Sequence, residues 1–163
     1  MSTYYSTEAI VFSSINIGEA DRLLNLYTKD FGMIKVSAKG LRLQKSKLKG
    51  HLSFLSHARV MIIPANGGYR LIDAEVITLP ILLSANIYSF VLFLSKLITH
   101  EEKDNSLWEL LNNVFIKKKF HLNDPKTLLN LKMHTLDALG MMPENGIHND
   151  QDIQKVLSAN HML

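Results

Sequence analysis

The chain has 163 residues, of which 47% are hydrophobic and 20% charged, and its formal net charge at pH 7 is +3. This length and apolar content are typical of one globular domain or two small ones, and they exclude a disordered or fibrous chain. Because the chain has no cysteine, disulfide frameworks, cysteine zinc sites and thiol nucleophiles are excluded, which is typical of a reducing compartment such as the cytoplasm.

Neither the N-terminus nor the longest apolar segment predicts export or membrane insertion. The first eight residues lack the basic n-region and apolar h-region of a signal peptide. The segment from Leu79 to Ile98 is apolar, but Pro80, Asn86 and Lys96 interrupt it. We therefore interpret it as containing a buried core helix rather than a membrane span.

The first half of the chain has the pattern of an all-β domain. Runs of β-branched and aromatic residues predict five strands, at about Glu8 to Ile15, Leu23 to Thr28, Met33 to Ala38, Ser56 to Ile63 and Tyr69 to Ile77. Tight turns are predicted at Asp30-Phe31-Gly32 and at Asn66-Gly67-Gly68. Five short strands with a longer connection after the third favour a small closed barrel of the OB type, whose face and loops commonly bind oligonucleotides. An SH3-like barrel would show much the same pattern.

Beyond Pro80 the apolar period changes from about two residues to about 3.6, which predicts an all-helical second part. Helices are expected over Ser84 to Thr99, from a capping box at Ser106 to Glu109 up to the lysines at 117–119, from Asp124-Pro125 to Leu139 before Gly140, and around Ile153 to Leu157. The predicted fold class is α+β, with a barrel over residues 1–80 and a helical domain over 81–163.

Basic residues are concentrated between the third and fourth predicted strands. Five of the twelve residues from Lys39 to Gly50 are cationic, and no carboxylate occurs between Asp30 and Asp73. Residues 1–80 carry ten Lys/Arg and six Asp/Glu, a net +4, whereas residues 81–163 carry eight and nine, a net −1. Such a run indicates either a solvated loop or contact with a polyanion. The six cations in question are Lys35, Lys39, Arg42, Lys45, Lys47 and Lys49.

No pattern of catalytic or metal-binding residues stands out. The seven histidines match no ligand spacing, and no Gly-rich phosphate loop precedes a helix. Glu19 and Asp21 are followed directly by Arg22, so they predict an ion-paired turn rather than an acid–base pair. We expect no enzymatic activity, no cofactor and no metal.

Six short motifs occur in order along the first half: Glu8-Ala-Ile-Val-Phe12, Gly18-Glu-Ala-Asp-Arg-Leu-Leu24, Leu26-Tyr-Thr28, Phe31-Gly-Met-Ile34, Ala38-Lys-Gly40 and Lys45-Ser-Lys-Leu48. Together they resemble the N-terminal domain of the RecO family of bacterial recombination mediators. The resemblance is strong over residues 8–78. It continues more loosely to the segment Leu136 to Pro143, which is similar to the family's Leu-x-x-Leu-Gly-x-x-Pro.

The resemblance implies an OB-fold barrel and a helical domain in a cytoplasmic, nucleoid-associated bacterial protein that binds single- and double-stranded DNA. Family members anneal complementary strands without nucleotide hydrolysis and load recombinase with RecR and single-stranded DNA-binding protein. Many continue for some dozens of residues and carry a four-cysteine zinc motif that this chain lacks. RecR is therefore the expected protein partner. Single-stranded DNA-binding protein is an expected partner only if its tail can still dock on the helical domain. The family uses that domain for docking, and it is shorter here.

On this interpretation the six cations contact phosphate, and further contacts are expected at Lys29, Tyr27, Lys117, Lys118 and Lys119. The three consecutive lysines equally suit the C-terminal end of a helix dipole. Tyr27, Phe31 and Tyr69 are candidates for stacking on bases, although each position also suits a core residue or a turn plug. A structural ion pair is expected of Asp21 and Arg22. Two alternatives remain: a protein-interaction scaffold with weak DNA affinity, and an RNA-binding OB-fold protein.

Overall fold

The computed structural model describes residues 3–43 and 52–160. The chain forms two compact units, of which the first comprises Met1–Ile81 together with His100–Asn105. The second comprises Leu82–Thr99 and Ser106–Leu163. A short segment beyond the first helix therefore belongs to the unit formed by the strands.

Five strands form a closed barrel: β1 (Tyr5–Ile17), β2 (Asp21–Thr28), β3 (Gly32–Ala38), β4 (His57–Ala65) and β5 (Gly68–Thr78). Their order around the barrel is β1-β2-β3-β5-β4. Neighbouring strands are antiparallel except β3 and β5, which pair in parallel over two residues of each strand. The predicted five-stranded OB barrel is confirmed, and each strand extends one to three residues beyond at least one of its predicted ends.

The barrel interior is filled by the side chains that alternate inward along each strand. On β3, Ile34, Val36 and Ala38 are buried while Lys35 is exposed. The other strands supply the rest of this core, notably Val11, Leu24, Leu26, Val60 and Ile62. A slip of β3 by one residue would place lysine in the interior, so this alternation fixes the strand register and the outward direction of Lys35.

The regular elements that follow the barrel are all helical. They are α1 (Ala85–Leu97), α2 (Asn105–Leu111) with a π-helical turn at Asn112–Ile116, α3 (Pro125–Ala138) and α4 (Asp150–Ala159). Ser84, Asp124 and Asn149 accept hydrogen bonds from the backbone N–H three residues on and cap α1, α3 and α4. The capping box at Ser106 was wrong, because α2 already begins at Asn105. Ser106 therefore lies inside the first turn of α2.

None of the helices in the described ranges is long and apolar enough to cross a membrane. Over the same residues, no group of three or more His, Asp or Glu side chains is arranged to hold a metal ion.

Candidate nucleic-acid interface

A row of cationic side chains lies on the outer face of the barrel around β3. Lys35 is exposed on β3, and Lys39 is exposed directly after the last residue of that strand. Ser37 lies between them, half-buried, and its hydroxyl donates to the carbonyl oxygen of Tyr69 at 3.2 Å. The predicted phosphate contacts Lys35 and Lys39 are thus both accessible to solvent.

Arg70 adds a cation to this surface that the sequence analysis missed. It is exposed and is the parallel-strand neighbour of Ser37, between the positions of the two lysines. The two strands come close because residue 68 is glycine: a Cβ there would overlap the carbonyl oxygen of Lys35. No local signal could have placed Arg70, since a parallel pairing joins segments that are far apart in sequence. We call Lys35, Lys39 and Arg70 the basic stripe.

The basic stripe carries uncompensated charge. Within the described residues, none of its three cations lies within ion-pair distance of a carboxylate, whereas Lys103, Lys132 and Lys155 each do. Residues 44–51, which the structure does not describe, contain no Asp or Glu in the sequence. The positive charge on this face is therefore not neutralised by a direct ion pair, and it is available to attract a polyanion.

The loop after β3 is anchored to the turn between β1 and β2. The Asp21 carboxylate accepts a hydrogen bond from the Gly40 N–H at 2.7 Å. The Arg42 N–H donates to the carbonyl of Ala20 at 2.9 Å, and its guanidinium donates to the carbonyl of Gly18 at 2.8 Å. Arg42 is half-buried by this contact, so it positions the start of the loop as well as contributing charge.

The ion pair expected between Asp21 and Arg22 was wrong. Consecutive residues of a strand point to opposite faces, and each of these side chains has a different partner. Asp21 accepts from Gly40, as described, and the Arg22 guanidinium donates to the side-chain oxygen of Asn16 at 3.2 Å. The Asp21 side chain therefore links β2 to the turn after β3, and the Arg22 side chain links β2 to β1.

The remaining predicted phosphate contacts, Lys45, Lys47 and Lys49, lie outside the described residues. Lys29 lies 3.9 Å from Glu8, which partly compensates its charge. In the second unit, Lys117, Lys118 and Lys119 are exposed at the end of the π-helical turn, and Lys117 lies 3.7 Å from Glu109. These three lysines therefore belong to a different unit from the basic stripe.

Tyr27 is not available for stacking on a base. It is only 1% exposed, and its ring packs against that of Phe12 with centroids 6.0 Å apart. Burial, with a smaller effect from Asp104, raises the pKa of its hydroxyl well above the ordinary value. The predicted DNA contact at Tyr27 was wrong, because this outward-pointing position of β2 is covered.

Phe31 and Tyr69 form an aromatic cluster with Tyr5 at one end of the barrel. Ring centroids are 5.3 Å apart for Tyr5 and Phe31 and 5.9 Å apart for Phe31 and Tyr69. Phe31 and Tyr69 also pack against the barrel core. The Tyr69 hydroxyl donates to the carboxylate of Glu101, which raises its pKa to about 12, with burial adding to the effect. These rings close the barrel end, and the cluster is the turn plug that the sequence left as an alternative.

Comparisons with known proteins give a consistent match. The family model described as "Recombination protein O N terminal" matches residues 1–80. The DNA repair protein RecO of Thermodesulfovibrio yellowstonii is 28% identical over 148 residues, which are 86% of this chain and 59% of that protein. RecO of Gloeothece citriformis is 30% identical over 155 residues, or 88% of this chain and 54% of that protein. RecO of Dehalococcoides mccartyi is 45% identical over 58 residues, or 36% and 23%. The chain thus spans little more than half the length of the first and second of these relatives.

Proposed function

The chain belongs to the RecO family, and on that premise we propose that it acts in recombinational DNA repair by binding single- and double-stranded DNA through backbone phosphates. In this proposal the barrel, residues 1–80, binds DNA, and the helical part, residues 81–163, contacts partner proteins. The protein is bacterial and cytoplasmic, associates with the nucleoid, and needs neither cofactor nor enzymatic activity.

The observation that carries the proposal is the basic stripe. Lys35, Lys39 and Arg70 are exposed and lack ion-pair partners among the described residues. Each phosphate neutralised by such a cation releases condensed counterions, which favours binding regardless of sequence. Lys45, Lys47 and Lys49 follow Lys39 in the sequence and add three further positive charges, and we propose that they contact phosphate too.

Phosphate contact also suggests how strands anneal. A protein that holds a strand by its backbone leaves the base edges free to pair, since phosphate contacts position the nucleic acid without reading its sequence. Two strands held in this way are concentrated near each other with their mutual repulsion screened by lysine and arginine. Annealing of this kind requires no nucleotide hydrolysis, and recombinase loading with RecR would follow on the annealed or gapped product.

The direct test of the DNA interface is the replacement of Lys45, Lys47 and Lys49 together by glutamate. We expect loss of DNA binding with the thermal unfolding midpoint nearly unchanged. Reversing three charges changes the electrostatic attraction for phosphate, whereas the residues of the barrel core are not replaced. A control for charge reversal elsewhere in the chain replaces Lys126 and Lys155 of the second unit by glutamate. Retained affinity of the triple variant at moderate salt would contradict the proposal.

A second candidate function, a protein-interaction scaffold, is favoured by a groove in the helical unit. The groove has a volume of about 330 Å³ and lies among α1, α3 and α4, where Tyr88 and Leu92 are 55% and 48% exposed. Lys96 and Lys132 lie along it, although Lys132 is 2.6 Å from Asp150. An apolar groove edged by an ammonium group suits a short peptide with an apolar side chain and a carboxylate. The family's partner of this kind is the tail of single-stranded DNA-binding protein.

The two functions are separable by experiment. Tight RecR or tail-peptide binding beside negligible DNA binding would favour the scaffold. Leu92→Glu should abolish peptide binding and leave DNA binding intact, with the exposed Glu144→Gln as control. The other alternative is an RNA-binding OB-fold protein. Competition between matched RNA and DNA oligonucleotides distinguishes it from a DNA-binding protein.

A further inference from the structure

Residues 100–105 form an acidic strap across one edge of the barrel. The strap, His100 to Asn105, belongs to the barrel unit although the residues on both sides of it belong to the helical unit. Three of its six residues are acidic, namely Glu101, Glu102 and Asp104. It lies where β3 has no β5 partner, since those two strands pair only at Val36–Tyr69 and Ser37–Arg70.

Four contacts hold the strap in place. The Met33 N–H donates to the carbonyl of His100 at 3.1 Å, extending the sheet beyond the end of the β3–β5 pairing. The Tyr69 hydroxyl donates to the Glu101 carboxylate. Lys103 lies 3.4 Å from Asp30. At Gly32, with φ +69°, a Cβ would overlap the Glu102 carbonyl oxygen, so the two backbones are in direct contact.

These contacts place negative charge at the border of the basic stripe. Met33 is two residues from Lys35 on the same face of β3, a separation of about 7 Å along a strand. Tyr69, which holds Glu101, is the chain neighbour of Arg70. The spacing from Met33 to Lys35 is shorter than the screening length at physiological salt, which is about 8 Å. The strap therefore lies close enough to β3 for its carboxylates to contribute to the potential around Lys35.

Neutralisation within the strap is incomplete. Lys103 is paired with Asp30 of the turn between β2 and β3. Glu102 is exposed and forms no ion pair within the part of the chain that the structure describes. Glu101 is exposed too, and the Tyr69 hydroxyl that it contacts carries no positive charge. The strap thus presents at least two carboxylates to solvent beside the site where phosphates are proposed to bind.

We propose that the acidic strap is an autoinhibitory element that competes electrostatically with nucleic-acid phosphates for the Lys35 end of the basic stripe. This inference rests on the proposed function and adds a regulatory contact to the same site. The strap lowers affinity for any strand that crosses this end, and it directs the bound strand toward Lys39 and the basic loop.

The experiment compares Glu101→Gln/Glu102→Gln with wild type in binding to a labelled single-stranded DNA oligonucleotide across a salt series. The matched control is Glu75→Gln/Glu144→Gln, which removes the same charge from one exposed site on β5 and one in the helical unit. We expect the strap variant to bind about three- to tenfold more tightly at low salt and the control to change less than twofold. The difference should vanish in high salt, because screening removes it.

The outcomes separate the two proposals. If wild type binds DNA with strong salt dependence but the strap variant binds no more tightly than the control, the strap proposal is overturned and the DNA-binding proposal stands. A gain in affinity that persists at high salt also overturns it, since the effect would then not be electrostatic. If neither wild type nor the strap variant binds, both proposals fail.

Discussion

The carboxylate of Asp21, at the start of β2, accepts a hydrogen bond from the backbone N–H of Gly40, which follows β3, across 2.7 Å. The neighbouring bond from the Arg42 N–H to the Ala20 carbonyl reinforces this link. Together they tie the first residues of the basic loop to the β1–β2 turn. The motif residues Gly18 to Leu24 and Ala38 to Gly40 thus meet in space, and their shared task is to set where the loop leaves the barrel.

Asp21→Ala should destabilise the protein by about 1–3 kcal/mol, because the substitution leaves a backbone donor without its charged acceptor. The measurement is urea unfolding of the variant and of Glu19→Ala, a control at an exposed position of the same turn. Equal unfolding free energies for the two variants would contradict the anchoring role of Asp21.

Gly32→Ala and Gly18→Ala form a pair that isolates the contact between strap and barrel. Both glycines have positive φ, +69° and +55°, so alanine costs about 1–2 kcal/mol at either position. Only at Gly32 would the Cβ also overlap the strap backbone at Glu102; at Gly18 it meets open space. We expect Gly32→Ala to lose about 1–3 kcal/mol more than Gly18→Ala, by the usual cost of overpacking. Equal losses would show that the strap does not pack closely at Gly32.

The contribution of Asp30 to the free energy of unfolding should depend on pH, and the partners of its carboxylate set the direction. The Thr7 hydroxyl, donating at 2.7 Å, lowers the pKa of this carboxyl below the ordinary 3.8, and Lys103 adds to the effect. Because the folded pKa is the lower one, the ionised group stabilises the fold above the ordinary value, and this contribution is lost as the pH falls through the folded pKa. Asp30→Asn should therefore be less stable than wild type at neutral pH, with the difference shrinking below about pH 4.

The measurement is the free energy of unfolding of wild type and Asp30→Asn at a series of pH values, with the exposed Asp137→Asn as control. A difference between wild type and Asp30→Asn that stays constant into the acid range would contradict the assignment of Asp30.

Arg70→Gln should reduce the slope of log affinity against log salt by about 0.7 for a single strand, which is the loss of one phosphate contact. Arg59→Gln is a matched control, because Arg59 is exposed on the same barrel but lies opposite Glu8 on β1 and Glu75 on β5. Oligonucleotide binding at several salt concentrations measures both slopes. Equal reductions of the salt slope in the two variants would show that Arg70 makes no specific phosphate contact.

The alternation of polar and apolar residues was enough to predict the five strands, the buried face of β3 and the exposure of Lys35. It could not place Arg70 beside Ser37, because their pairing is parallel and joins residues 33 positions apart. It also could not show that Tyr27 is covered, since the outward face of a strand is polar or apolar according to what packs on it.

The strap was missed for a related reason. Residues 100–104 are polar and lie between α1 and α2, a pattern that indicates an ordinary surface loop. Their attachment depends on Gly32 and Tyr69, which are far away in sequence. A sequence pattern reports local period and turn chemistry, whereas this contact is set by the gap that β5 leaves beside β3.

The central claim, that the barrel binds DNA through phosphate contacts, is tested most directly by the salt dependence of single-stranded DNA binding. Wild type should lose affinity by about 2 or more log units per tenfold increase in salt, corresponding to three or more contacts on a single strand. Replacing Lys35, Lys39 and Arg70 together by glutamine should reduce this slope by about 2, while the thermal unfolding midpoint stays close to that of wild type. A wild-type affinity that is independent of salt, or a slope that the triple variant leaves unchanged, would contradict the claim.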